Sequence, residues 1–176
     1  KAGLPVLPVF IFDTEILDQL EDKTDARVSF IHAALHEMQT ELVVLGSSLE
    51  VIHGKPLDCF KALTKKYNIV TVFTNHDYEP SAIQRDATIA NFLNEHKVAY
   101  QSFKDQVILE KDEVLKDDGT PYTVFTPYSR KWKSKLTEDH LKAYPVEKYQ
   151  DHFIKLSPMA LPSLESIGFT ASNIHF

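Results

Sequence analysis

The sequence predicts an α/β protein: a parallel, five-stranded-type sheet of the flavodoxin-like or Rossmann-like three-layer kind, flanked by helices. Two observations carry that expectation. Short apolar runs alternate with helix-length segments from about residue 4 to residue 105, a βαβαβαβ string that suits right-handed crossovers. The runs Val6–Phe12 and Ile69–Thr74 are also apolar almost without a break, as in strands covered on both faces.

Each element has its own signal. Val6–Phe12 reads as a strand ending at Asp13. Thr24 or Asp25 can cap a helix whose apolar positions, Val28, Ile31, Leu35, Met38, Leu42 and Leu45, recur at gaps of 3, 4, 3, 4 and 3. Gly46 stands where a glycine ends such a helix. Leu49–His53 is a short strand, and Pro56 begins a helix with Leu57, Phe60, Leu63 and Tyr67 inward. Cys59 lies on that apolar face and is expected to be buried and inert. Ile69–Thr74 is a strand, Pro80–Glu95 a helix and Val98–Phe103 a strand.

After Phe103 the pattern loosens. Val107–Leu115 is a short strand or a pair of short helices, Asp117–Pro121 a turn, and Phe125–Leu136 a proline-initiated helix with Trp132 and Leu136 four apart. Beyond Tyr149, Pro158 and Pro162 suggest an extended connection. Its apolar residues, among them Phe153, Leu161, Ile167 and Phe169, need a surface, which a downstream domain is expected to supply. The expected division is residues 1–135 as the α/β domain and 136–176 as a linker.

Composition narrows the class. A chain of 176 residues suits one compact domain. Net charge is 19 − 25 = −6, which argues against a surface devoted to nucleic acid or anionic membrane. A single cysteine excludes an intramolecular disulfide and any multi-cysteine metal site, and points to a reducing, cytoplasmic compartment. No apolar run reaches membrane-spanning length, so no membrane partner is expected.

The densest polar cluster is Asn75-His76-Asp77-Tyr78-Glu79, directly after a strand. Open α/β sheets bind ligands at the carboxyl ends of their strands. Asp77 and Glu79 could accept hydrogen bonds from ring N–H groups, with Arg85 as a nearby cation; equally, the cluster suits the start of a helix, where acidic groups favour the dipole. His32 and His36 have a chelating i, i+4 spacing but no third ligand, so no metal is expected and two solvated histidines are the reading. Arg130, Lys131, Lys133 and Lys135 surround Trp132, a composition that can bind nucleic acid, although helical spacing turns the ring inward and the cations to water. Phosphate-loop, dinucleotide-fingerprint and hydrolase-elbow motifs do not occur.

Several segments resemble one family in order along the chain. VFTNHDYEPSAIQRD at Val72–Asp86, VFIFD at Val9–Asp13, Ala26-Arg27-Val28, DGTPYTVFTPY at Asp118–Tyr128 with Trp132, and PSLESIGF at Pro162–Phe169 resemble the amino-terminal domain of the DNA photolyase/cryptochrome family. The resemblance implies a deoxyribodipyrimidine photolyase, a light-driven lyase for pyrimidine dimers in DNA. FAD and the contact with ultraviolet-damaged DNA would belong to a carboxyl-terminal helical domain absent here, so this part alone would not be catalytic. The alternative is a cryptochrome-type blue-light photoreceptor; a free-standing nucleotide-binding protein of universal-stress or flavodoxin type leaves the residues after Glu110 without a purpose. The resemblance further implies an antenna chromophore in this domain, a reduced folate or an 8-hydroxy-deazaflavin. Arg27, Asp77, Glu79 and Arg85 fall on antenna-contacting positions, with Phe12 and Asp13 as further candidates. The family's W-F-R-x-D-L-R strand does not occur, so its first strand, on the order of thirty residues with its helix, is expected to be missing ahead of Val6, together with one wall of the antenna site.

Overall fold

The computed structural model describes residues 3–174. They fall into two compact units, one formed by the chain up to Asn68 together with the part from Pro145 onward, the other by Ile69–Tyr144.

In the first unit, β1 (Val9–Asp13) and β2 (Glu50–Gly54) pair in parallel, Val9 opposite Glu50 and Asp13 opposite Gly54. A single turn, α1 (Thr14–Leu17), follows β1, and the long α2 (Ala26–Val44) makes the crossover. Asp25 caps α2 by accepting the Arg27 backbone N–H at 2.8 Å. The helix ends in a Schellman turn: Ser47 N–H reaches the Leu42 carbonyl at 2.8 Å, and Gly46 N–H the Val43 carbonyl at 2.9 Å. Gly46 sits at φ +73°. A Cβ there would meet nothing nearer than Lys155 Cδ at 3.6 Å, so the obstacle is the backbone rather than space. Gly46→Ala is expected to lower the urea midpoint, by about 1–2 kcal/mol in stability.

After β2, α3 (Pro56–Lys66) begins at a proline, which has no N–H to lose in the first turn, and buries Pro56, Cys59 and Leu63. The Cys59 sulfur would stand 3.1 Å from a Cβ at position 54, which is why a glycine ends β2. Burial pushes the Cys59 thiol up, as an inert core cysteine requires.

The buried face of α2 is turned relative to the sequence expectation. Val28, Leu35, Gln39 and Leu42 are buried, whereas Ile31 and Met38 are 38% and 47% exposed. The cause is what covers the helix. The segment expected to await another domain lies on the chain's own α2: Leu156 N–H donates to the Gly46 carbonyl, Met159 N–H to Ser48 Oγ, and Gln39 Nε2 to the Met159 carbonyl. Ile167 and Phe169 complete a core with Phe12, Leu17, Val28, Leu35, Leu42 and Leu49. At the other end of the segment, Val6 and Phe153 form a parallel bridge. His32 takes part as well, its Nε2 2.9 Å from the Pro162 carbonyl, so it is not one of two solvated histidines.

In the second unit, β3 (Thr71–Asn75) and β4 (Ala99–Phe103) pair in parallel around the crossover helix α4 (Pro80–Glu95), which buries Ala82, Ile89 and Leu93. Val107–Leu115 contains a 3-10 turn at Lys111–Glu113, neither a strand nor a pair of helices. Asp118 organises the expected turn, its Oδ1 accepting the Thr120 N–H at 2.9 Å, with Gly119 at φ +80°. The chain continues into α5 (Phe125–Lys135), where Trp132 is half-buried.

The fold class is therefore α/β with parallel strands flanked by helices, as expected, but the strands form two separate two-stranded ladders, β1–β2 and β3–β4. Each ladder joins the two strands that flank one long helix. Apolar runs reveal that strands exist; which edges exchange hydrogen bonds depends on packing that the runs do not encode.

Candidate functional site

The polar cluster begins where β3 ends, at the carboxyl end of a parallel strand and ahead of the α4 N-terminus. His76 N–H donates to the Phe103 carbonyl at 2.7 Å, tying the loop to the end of β4. Asn75 Nδ2 donates to Asp105 at 2.9 Å. Asp77 Oδ1 accepts two backbone donors, Tyr78 N–H at 2.7 Å and Glu79 N–H at 3.2 Å, so one carboxylate oxygen closes the turn into the helix. Glu79 is the residue before the proline that starts α4 and makes no side-chain cap there. Asp77 thus shapes the helix start with one oxygen, while Asp77 Oδ2 and the whole Glu79 carboxylate have no hydrogen-bond partner among the described residues.

Arg85 lies in α4, its Nε donating to Asp86 Oδ1 at 2.9 Å. This pair stands close enough to Tyr100 to act on its phenol, which burial pushes up and which shares a 2.7 Å hydrogen bond with Thr74. Asp77, Glu79 and Arg85 therefore belong to one unit, the first two in the β3–α4 connection and Arg85 within α4.

Arg27, Phe12 and Asp13 belong to the other unit. Arg27 donates from Nη2 to Asp25 Oδ2 at 2.6 Å while its side chain stays 75% exposed. Hydrogen bonds from the Arg27 side chain and backbone hold Asp25 down to about 2. Phe12 is a core residue at 3% exposure. Asp13 caps α1, accepting the Glu15 N–H at 2.8 Å.

Sequence reasoning missed Glu110. Its Oε2 accepts the Tyr78 hydroxyl at 2.7 Å and lies 2.9 Å from His76 Nδ1. A carboxylate only accepts, so the proton of the second bond sits on His76 Nδ1. Glu110 hydrogen bonding pushes the Tyr78 phenol up to about 12, and the Tyr78 and His76 donors hold Glu110 below the usual carboxylate range. Glu110 is separately anchored in a capping box with Glu113, which Lys104 grips at 2.8 Å. Its neighbours in sequence form an irregular stretch, so no periodicity flagged it.

Among the described residues no group of three or more His, Cys, Asp or Glu side chains could hold a metal ion, and no helix is long and apolar enough to cross a membrane. The basic residues around Trp132 are partly committed: Lys131 pairs with Asp117 at 2.9 Å, and Lys135 donates to the Glu113 carbonyl.

These features define an α/β domain of parallel strands with an acceptor-rich loop at a strand's carboxyl end. The DNA photolyase family model matches residues 1–147, and the chain belongs to that family. The chain is 33% identical over 167 residues to a deoxyribodipyrimidine photo-lyase of Halobacterium salinarum, covering 94% of this chain and 34% of that protein. It is 27% identical to Cryptochrome-1 of Erithacus rubecula, over 84% of this chain and 25% of the other. Among solved structures, a bacterial class III photolyase from Agrobacterium tumefaciens matches with a TM-score of 0.63 at 23% identity, over 75% of this chain and 27% of that one, which is a likeness of fold. An archaeal photolyase from Sulfolobus tokodaii, described with two FAD molecules and a novel light-harvesting cofactor, matches with a TM-score of 0.54 at 28% identity, over 61% of this chain and 24% of that one. The chain thus spans about a third of the length of the photo-lyase relative from Halobacterium.

Proposed function

We propose that this chain is the antenna-chromophore-binding domain of a light-driven DNA repair enzyme, a deoxyribodipyrimidine photo-lyase that splits pyrimidine dimers. The observation that carries the reading is the family match over residues 1–147, which falls in the amino-terminal part of the photo-lyase relatives. In this reading FAD and damaged DNA are held by a carboxyl-terminal helical domain, residues 1–135 form the antenna domain, and 136–176 lead on toward the helical domain, the part from Pro145 packing into the core of the first unit on the way. The compartment is the cytoplasm, and this chain alone does not repair DNA.

The residues fit the chromophore class. A reduced folate and an 8-hydroxy-deazaflavin both present ring N–H donors, and Asp77 Oδ2 and Glu79 offer acceptors unused by the protein. Arg85, oriented by Asp86, is the cation in the same unit as these acceptors; Arg27, oriented by Asp25, is assigned to the antenna by the family resemblance alone. Asp13 and Phe12 are assigned by the same resemblance; within their own unit one caps a helix and the other fills the core. When bound, the chromophore supplies light absorption and passes excitation to FAD; the chain's own residues bind and orient it.

The test is the absorption spectrum of the full-length protein as purified and after reconstitution with each chromophore. Glu79→Ala and Asp77→Ala are each expected to weaken chromophore binding roughly tenfold to a hundredfold, the effect of losing a hydrogen bond to a charged acceptor. Repair through directly excited FAD should persist. A wild-type spectrum of FAD alone under every condition would refute the antenna reading. The similarity to Cryptochrome-1 supports a second reading, a blue-light photoreceptor of the same architecture. Absence of light-driven dimer repair by the full-length protein would favour it.

A further inference from the structure

We infer that Glu110 is a positioning residue for the chromophore site, acting through Tyr78 and His76 to hold the β3–α4 loop so that Asp77 and Glu79 present their carboxylates. The inference rests on the antenna reading above and adds a residue that no sequence motif marked.

The loop alternates in how its side chains are used. The even-numbered residues, His76 and Tyr78, both reach Glu110 Oε2, at 2.9 and 2.7 Å. The odd-numbered residues, Asp77 and Glu79, are the ones left with spare acceptor capacity. Tyr78 lies between those two carboxylates in sequence, and fixing its hydroxyl fixes the peptide that joins them. Like charges two residues apart repel one another, so a loop bearing both is held in one arrangement more tightly with an outside restraint than without one. Glu110 can supply it because it is itself held: Glu113 shares its capping box, and Lys104 holds Glu113 by both carboxylate oxygens, at 2.9 and 2.8 Å. The chain of contacts runs from Lys104, just after β4, through Glu113 and Glu110 to the loop after β3. It ties the carboxyl ends of β3 and β4 to one another.

The experiment uses the full-length protein, a reduced folate and an 8-hydroxy-deazaflavin as probes, and Kd from absorption titration, alongside the thermal midpoint. Glu110→Ala is expected to weaken binding of the accepted chromophore about tenfold. Glu110→Gln keeps an oxygen for the Tyr78 hydroxyl and should restore binding to within about threefold of wild type. Tyr78→Phe should fall between them with its midpoint kept, and serves as the decisive variant if Glu110→Ala does not fold. Wild-type affinity in Glu110→Ala or in Tyr78→Phe, while Glu79→Ala binds weakly, overturns the inference and leaves the antenna reading standing. Equal loss in Glu110→Gln and Glu110→Ala, tracking a fall in midpoint, also overturns it, since the residue then acts only on stability. Failure of the wild-type protein to bind either probe overturns both.

Discussion

Replacing Phe169 with alanine should cost about 3–5 kcal/mol of stability, the usual loss for removing a fully buried aromatic ring. The ring is 2% exposed and belongs to the same core as Phe12, Leu35 and Leu42. Its backbone is fixed too: Phe169 N–H donates to the Leu164 carbonyl at 2.9 Å, and Thr170 N–H to Lys23 at 2.8 Å. Domain stabilities are on the order of 5–15 kcal/mol, so the loss would be visible as a large shift of the urea midpoint. Phe125→Ala provides the contrast. That ring is 77% exposed, and its removal should change stability by no more than about 0.5 kcal/mol. The comparison decides what the carboxyl-terminal segment is. Were it a connection waiting for another domain's surface, Phe169 and Phe125 would respond alike.

The legibility of this chain follows the range of the interactions involved. Both ends of helix α4 are legible in the sequence, because Pro80 marks its start and its apolar spacing is local. The C-terminal turn at Gly46 and the burial of Cys59 were legible for the same reason. The face of α2 was not. Spacing defines a stripe on a helix, but the stripe that is buried depends on which segment covers it, and that segment begins more than a hundred residues later. At the site, Asp77, Glu79 and Arg85 stood out as a polar cluster beside a strand. Glu110 did not, because its partners His76 and Tyr78 are 34 and 32 residues away. Asp13 caps α1 through the Glu15 N–H, and the Arg27 guanidinium pairs with Asp25, each with a partner two residues away. Local chemistry could be read from order; pairing between strands, and between a loop and its brace, could not.

Gln39→Leu should destabilise the protein by about 2–5 kcal/mol, despite placing an apolar residue at a buried helical position. The side chain is fully used. Its Nε2 donates to Ser48 Oγ at 2.8 Å and to the Met159 carbonyl at 2.5 Å, and its Oε1 accepts the Leu49 N–H at 2.7 Å. Ser48 and Leu49 are 0% and 2% exposed, so water cannot replace what the amide provides. An unpartnered buried donor costs about 1–3 kcal/mol, and leucine would leave the Leu49 N–H in that state while loosening the Ser48 hydroxyl and the Met159 carbonyl. Apolar burial by the new side chain returns only part of this, because the amide stem already fills the space. Met38→Gln is the matching control: that position is 47% exposed and should tolerate the change within about 0.5 kcal/mol. Pattern reading of α2 makes the opposite forecast, with Met38 in the core and Gln39 in water. Urea denaturation of the two variants side by side therefore decides between them, and a neutral Gln39→Leu together with a costly Met38→Gln would show that the carboxyl-terminal segment does not lie along this face of the helix.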